Sequence, residues 1–286
     1  MQLAFIGIGK MGLPMVERLI ASGHDVKVHN RSSAAVEAAE SRGASAAPSA
    51  TAAAEGSELV LTALPTVDAV QAVYAELADN AAAGQVYIDH STVDIGTNRF
   101  CAELVSARGA GFLDAPVSGG PAGAEAGSLT VMVGGDENDY QRALPAFESF
   151  GKTIRLCGPV GTGQAVKLVN QLLVGIHTAA IAEATVLGTA LGADPKVVLD
   201  LVGSSFGGSV MLSRNIPRFV SRDFSGATPV SLILKDLGII RDEGDRVGVP
   251  LPLAEMVKQH FALADSQGWA DEDMAALVKL WETGVS

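Results

Sequence analysis

Along the first half of the chain, short apolar runs that end at glycine, proline or a polar pair alternate with stretches of helical periodicity. The runs fall at 2–6, 25–30, 59–64, 86–89, 111–115, 129–133 and 153–156, and helical patterns follow at about 10–22, 66–82 and 94–107. Strand and helix in alternation predict a mainly parallel sheet covered by helices on both faces, with ligands bound outside the carboxyl ends of the strands. The pattern then changes. From 163 to 191 the sequence GQAVKLVNQLLVGIHTAAIAEATVLGTAL holds no proline, and its apolar residues recur on every side, enough for about seven turns of helix. Such a helix is expected to be buried, inside a helical domain or between subunits. Further helices are predicted at 195–202, where Asp194-Pro195 forms a cap with proline at the first helical position, and at 208–219, 230–248, 253–266 and 271–282. Pro250 and Pro252 punctuate them. The Ala-rich stretch at 44–54 reads as small-residue packing. The expected division is therefore an α/β domain over 1–162 and an all-α domain over 163–286, built around one long buried helix.

The turn after the first strand carries the first chemistry. Gly7, Gly9 and Gly12 keep the spacing Gly-x-Gly-x-x-Gly between a strand and a helix. In that context Gly7 makes the tight turn, Gly9 lets the backbone approach a pyrophosphate, and Gly12 lets helix and strand pack closely. Lys10 and Met11 lie in the same turn, where the helix N-terminus faces the phosphates. These features predict a Rossmann dinucleotide site. At the end of the second strand, where an NAD site usually has an acid for the ribose hydroxyls, the chain has Asn30-Arg31-Ser32-Ser33. A carboxylate there repels a 2′-phosphate, whereas a guanidinium with neighbouring hydroxyls binds one, which favours NADP(H) over NAD(H). Leu64-Pro65 and Ser91-Thr92 fall at two further strand ends and are expected at the cofactor. In the loop from Val117 to Gly123, adjacent glycines and the Ser118 hydroxyl can cradle a carboxylate.

Lys167 and Asn170, three apart near the start of the long helix, share a face and can reach one small molecule. Hydride transfer between a nicotinamide and a carbinol carbon needs a proton donor or acceptor beside the oxygen. A free lysine, near 10.4, is too basic to release its proton readily at neutral pH, and burial lowers it.

Composition narrows the partners. Of 286 residues 48% are hydrophobic and 18% charged, and the net charge of -12 repels a nucleic-acid backbone. Two distant cysteines, Cys101 and Cys157, make no disulfide framework and fit a reducing cytoplasm. No signal peptide is evident, no membrane partner is expected, and the five histidines show no metal-ligand spacing. Gly203-Ser204-Ser205-Phe206-Gly207 fits a hydrolase pattern formally, but it follows a helical stretch rather than a strand.

Four separated motifs, FIGIGKMGLPM at the start, DAPVSGGPAGAEAGSLTVMVGG at 114–135, GQAVKLVNQ at 163–171 and LKDL at 234–237, together resemble the β-hydroxyacid dehydrogenases, the group containing 3-hydroxyisobutyrate dehydrogenase and tartronate semialdehyde reductase. The resemblance covers essentially the whole chain. It implies Lys167 as the catalytic acid/base, Ser118, Gly119, Gly120 and Asn170 as substrate-binding residues, and Thr92 and Lys235 at the nicotinamide end of the cofactor. It further implies a helical domain that mediates homodimers or homotetramers. Two departures concern the substrate side chain: Thr228 stands where the family commonly has an aromatic, and Asp94 where it commonly has proline. Imine reductases share the architecture but resemble it with Asp or Tyr at the position of Lys167, and 6-phosphogluconate dehydrogenases have a much longer helical domain. A non-catalytic dinucleotide-binding scaffold is the reading from another class, and loss of the lysine would mark it. The expectation is thus an NADP(H)-preferring enzyme acting on a short β-hydroxy acid or its semialdehyde.

Overall fold

The computed structural model describes residues 1–226 and 228–282. The chain divides into two compact units, Met1–Lys167 and Leu168–Ser286, so the division falls inside the long helix rather than at its first residue. The first unit holds nine strands: β1 (Gln2–Ile6), β2 (Asp25–His29), β3 (Ser45–Ala46), β4 (Leu59–Thr62), β5 (Val86–Asp89), β6 (Gly111–Asp114), β7 (Val117–Ser118), β8 (Leu129–Gly135) and β9 (Gly151–Gly158). They form one sheet in the order β3-β2-β1-β4-β5-β6-β8-β7, with β9 also pairing β8. Strands β3 to β6 run parallel along that order, whereas β8 is antiparallel to β6 and β7.

Side chains alternate across this sheet with the period of two that strand geometry requires. Leu3, Phe5, Leu59, Leu61, Val86 and Ile88 enter one core with Met15, Leu19, Phe147 and Phe150. Ala4, Ile6, Val60 and Tyr87 enter the other with Val70, Tyr74, Leu77, Cys101 and Val105. Because both faces are buried, the strands read as continuous apolar runs. The covering helices are α1 (Gly12–Ala21), α2 (Ser33–Glu40), α3 (Ala50–Ala54), α4 (Val67–Ala78), α5 (Ile95–Ser106), α6 (Gly120–Glu125) and α7 (Glu137–Phe150).

Several of these were not in the sequence pattern. The Ala-rich stretch at 44–54 forms β3 and α3, with Ala50, Ala53 and Ala54 buried. Helix α2 buries only Ala39 and so carries almost no apolar stripe, and α7 accommodates Pro145 within it. The glycine-rich loop after β6 is more ordered than a plain turn: it contains β7 and α6.

The long helix α8 (Thr162–Ala190) leads into α9 (Pro195–Gly203), α10 (Val210–Ser221), α11 (Val230–Val247) and α12 (Pro252–Ala264). By length and mean hydropathy α8 could cross a bilayer. Its residues Leu168, Ala179, Ile181 and Ala182 instead join Ile216, Phe219, Ile233, Leu237 and Phe261 in the core of the second unit. Burial is one-sided within a single chain: Val169, Leu173 and Leu187 are between 47% and 59% exposed. The helix expected over 271–282 is replaced by a tight 3-10 segment, Met274–Val278, and one turn of α13 (Lys279–Glu282). The buried Asp273 carboxylate accepts the Ala275 amide and two Arg214 guanidinium bonds, while Asp273 and Met274 donate their amides to Phe224 and Thr228. Those ties fix the segment to the loop before α11 and prevent a regular helical start.

Candidate active site

The glycine turn has the geometry that its spacing predicts. Gly7 sits at φ +95°, and a Cβ there would lie 2.3 Å from the Ala63 carbonyl oxygen. A Cβ on Gly12 would lie 2.3 Å from the Gly7 carbonyl oxygen, so α1 packs against the turn as only glycine allows. Over Gly9 there is nothing within 4 Å, which leaves its backbone open to an approaching group. Helices α3, α4, α5, α7, α9 and α10 are capped by the side chains of Ser49, Thr66, Asp94, Asp136, Asp194 and Ser209. Helix α1 has no side-chain cap and no acid in its first turn. Its amides and dipole are thus left for an anion, and the residues present fit the pyrophosphate of a dinucleotide.

The parallel register puts Gly7–Gly12, Asn30–Ser32, Leu64–Pro65 and Ser91–Thr92 at the same edge of the sheet, beyond the ends of β1, β2, β4 and β5. Side chains brace these turns. Asn30 Oδ1 accepts the Ile8 amide at 3.1 Å, so this residue holds the glycine turn in addition to lining it. Ser91 Oγ accepts the Leu64 amide at 2.9 Å and donates to the fully buried Asp89 carboxylate at 2.6 Å. Thr62 Oγ1 donates to the same carboxylate oxygen at 2.8 Å. Asp89 therefore joins the turns after β4 and β5, a role its position in an apolar run gave no hint of. Arg31 is exposed and forms no ion pair among the described residues, and the Ser32 hydroxyl makes no cap bond to α2.

Lys167 is buried, 7% exposed, and its Nζ donates to the Val117 carbonyl oxygen at 2.8 Å. The structure thereby brings the lysine to the segment that continues into Ser118, Gly119 and Gly120. Gly119 and Gly120 adopt φ +131° and +64°, and a Cβ on Gly120 would meet nothing within 4 Å. The amine comes from α8 and the open glycine backbone from the β7–α6 turn. This pairing can hold an anionic group and move a proton beside it.

In the second unit, Asn170 Nδ2 donates to Gln171 Oε1 at 2.9 Å, and Gln171 Nε2 donates to the buried Asp236 carboxylate at 2.5 Å. Lys235 Nζ pairs with that carboxylate at 3.1 Å. Asn170 and Lys235, both expected at the site, are thus joined through Gln171 and Asp236, which sequence reasoning did not single out. The one available sign was an acid next to Lys235 at a core-facing position of an amphipathic helix. Among the described residues no group of three or more His, Cys, Asp or Glu could hold a metal ion.

A sheet with open glycine turns at its carboxyl edge, followed by a helical unit, defines a nicotinamide-dinucleotide-binding oxidoreductase. Residues 2–158 match the family model described as the NAD binding domain of 6-phosphogluconate dehydrogenase, and residues 161–281 match that described as the NAD-binding of NADP-dependent 3-hydroxyisobutyrate dehydrogenase. The chain is 37% identical over 291 residues to 2-(hydroxymethyl)glutarate dehydrogenase of Eubacterium barkeri, covering 100% of this chain and 97% of the relative. It is 36% identical to the NAD-dependent L-serine dehydrogenase of Pseudomonas aeruginosa, covering 98% of each. The solved structure of Mycobacterium tuberculosis 3-hydroxyisobutyrate dehydrogenase with L-serine superposes with a TM-score of 0.90 at 33% identity, covering 98% of each chain. The chain belongs to the β-hydroxyacid dehydrogenase family. Imine reductases share its fold at about 20% identity, which speaks for the architecture alone.

Proposed function

We propose that this enzyme is an NADP(H)-preferring oxidoreductase that interconverts a short β-hydroxy acid and its semialdehyde or keto acid, with Lys167 as general acid/base. The observation that carries the reading is the buried Lys167 amine, held 2.8 Å from the Val117 carbonyl beside the open Ser118–Gly120 backbone. When bound, the dinucleotide supplies or accepts the hydride. Lys167 gives its proton to the carbonyl oxygen during reduction and takes the hydroxyl proton during oxidation, so that no free alkoxide forms. The amides of Gly119 and Gly120 and the Ser118 hydroxyl hold the substrate carboxylate. Asn170, three residues on along the same helix, binds substrate, and Thr92 and Lys235 contact the nicotinamide end of the cofactor, roles that rest on family resemblance. The substrates named for the relatives, 2-(hydroxymethyl)glutarate, L-serine and 3-hydroxyisobutyrate, all carry a primary hydroxyl on the carbon β to a carboxylate, which supports this substrate class.

The preference for NADP(H) rests on Arg31, exposed without an ion-pair partner among the described residues, and on the uncapped start of α2 at Ser32. The exposed residues Val169, Leu173 and Leu187 share one face of α8 and support a homodimer or homotetramer formed through the helical unit. Sedimentation of Leu173→Asp/Leu187→Asp should yield monomers, and an unchanged assembly would exclude that face.

The decisive experiment is NADPH oxidation with glyoxylate, succinic semialdehyde, tartronate semialdehyde and methylmalonate semialdehyde, in wild type and Lys167→Ala. The variant should bind dinucleotide normally and lose turnover by about 10²- to 10⁴-fold. A near-normal rate would refute the proton-transfer role.

A further inference from the structure

One buried acid stands outside the chemistry described so far. Asp114, at the end of β6, is 0% exposed, and its two oxygens accept the Gly161 amide at 2.6 Å and the Gln164 amide at 2.7 Å. Those amides belong to the residue preceding α8 and to the third residue of that helix. Gly161, as glycine, offers no side chain to cap α8, so a carboxylate from 47 and 50 residues away in sequence does so instead. The fit around it leaves no slack. A Cβ on Gly134 would lie 2.4 Å from Asp114 Oδ1, and one on Gly163 would lie 2.8 Å from the Asp114 carbonyl oxygen and 2.3 Å from that of Met132. Three residues beyond Gln164, about one helical turn, comes Lys167. Three residues beyond Asp114 comes Val117, whose carbonyl receives the Lys167 amine. The segment from Asp114 to Val117 therefore grips the start of α8 at two points.

We infer that Asp114 is a positioning residue: its carboxylate seats the first turn of α8 and thereby sets where the Lys167 amine stands relative to the Val117–Ser118 segment. The inference rests on the proposed role of Lys167. An ionised carboxyl accepts both amides, whereas a protonated one turns an acceptor into a donor facing an N–H, and one bond is lost. Burial pushes Asp114 up to about 7, against the downward pull of its amide bonds. The titratable groups that act on it are Asp89 on β5, which raises it further, and Cys157 on β9, whose thiol Asp114 helps to push up. The seat should accordingly loosen as pH falls through neutrality, and turnover should decline with it.

Two measurements test this. In wild-type protein, the amide resonances of Gly161 and Gln164 should titrate together with a midpoint near 7. In Asp114→Asn, the acidic limb of the kcat profile should disappear and kcat should fall at least tenfold, with dinucleotide affinity unchanged within twofold. A residue that only maintained the fold would instead lower kcat by the same factor at every pH. Amides of Gly161 and Gln164 that stay flat from pH 5 to 9 would overturn the inference, even where Asp114→Asn does not fold. So would an acidic limb that survives in the variant. If Lys167→Ala kept its turnover while those amides still titrated, the proton-transfer role would fail and the seating of α8 by Asp114 would stand.

Discussion

The cofactor preference can be tested with one charge reversal, Arg31→Asp. Arg31 is exposed and takes no ion-pair partner among the described residues, so the change breaks no internal ion pair and should leave the fold intact. A charge-assisted guanidinium–phosphate bond contributes about 1.5 kcal/mol or more. A carboxylate about 5 Å from a phosphate of charge near -2 adds roughly 1.7 kcal/mol of repulsion in water, which physiological salt about halves. Together these weaken NADP(H) by about 2–3 kcal/mol, roughly 30- to 150-fold. NAD(H), without the 2′-phosphate, escapes both effects and gains an acceptor for its ribose hydroxyls. The measurement is the ratio of kcat/KM with NADPH to that with NADH on one substrate, paired with dinucleotide titration in its absence. Asn30→Asp is the companion variant: a carboxylate oxygen can still accept the Ile8 amide, which Asn30 accepts at 3.1 Å, so the glycine turn survives while negative charge is added. A ratio in Arg31→Asp within twofold of wild type would refute the phosphate assignment.

Three other outcomes follow from the geometry. Gly9→Ala, with nothing within 4 Å of the added methyl, should keep its thermal midpoint and lose dinucleotide affinity, whereas Gly12→Ala, forced to 2.3 Å from the Gly7 oxygen, should lose about 1–3 kcal/mol of stability; equal behaviour would contradict the assigned roles. Gly163→Ala should displace α8 from the Met132 carbonyl and lower kcat about 100-fold with Lys167 intact, and a wild-type kcat would show that the helix seat tolerates movement. Burial lowers His90 from 6.5 to about 4, so stability drops as pH falls through that window, and raises Asp114 from 3.8 to about 7, so stability drops as pH rises through that one, each by on the order of 3–4 kcal/mol; His90→Phe should leave only the second slope, seen as a urea midpoint that falls between pH 4 and 7, and identical slopes in variant and wild type would exclude the linkage.

What was legible in the sequence was whatever a backbone or a charge had to leave as a mark. Gly7 and Gly12 announce themselves because no other residue fits a left-handed turn or a 2.3 Å approach, and their spacing between strand and helix fixes the reading. Lys167 stands out as a cation on an apolar helix. The period-two cores of β1, β4 and β5 are visible as apolar runs. Residues acting through tertiary partners were not visible. Asp89, Gln171 and Asp236 became meaningful only with Ser91, Asp236 and Lys235 beside them, and the Gln171–Asp236 bond spans 65 residues. The position of Asn30 at the end of β2 predicts a residue facing the cofactor, while its bond to Ile8 makes it also a brace of the turn. The apolar pattern of α8 was legible, but its uncovered stripe was not, because a single sequence gives the faces of a helix without saying which of them the same chain covers.

The motif from Asp114 to Gly120 joins two demands that need not occur together. A carboxylate-binding turn requires open backbone amides, which Gly119 and Gly120 provide, and nothing in that requirement calls for a buried acid five residues earlier. A proton-transferring amine, however, must stand at a fixed distance from the bound group, since displacement of about 1 Å costs about 10²-fold in rate. Asp114 supplies that constraint from the same segment: it holds the helix by its amides while Val117 holds the amine. The turn proposed to bind substrate and the first turn of α8 are then held together. The relation of Lys167 to Ser118 is therefore set within Met1–Lys167.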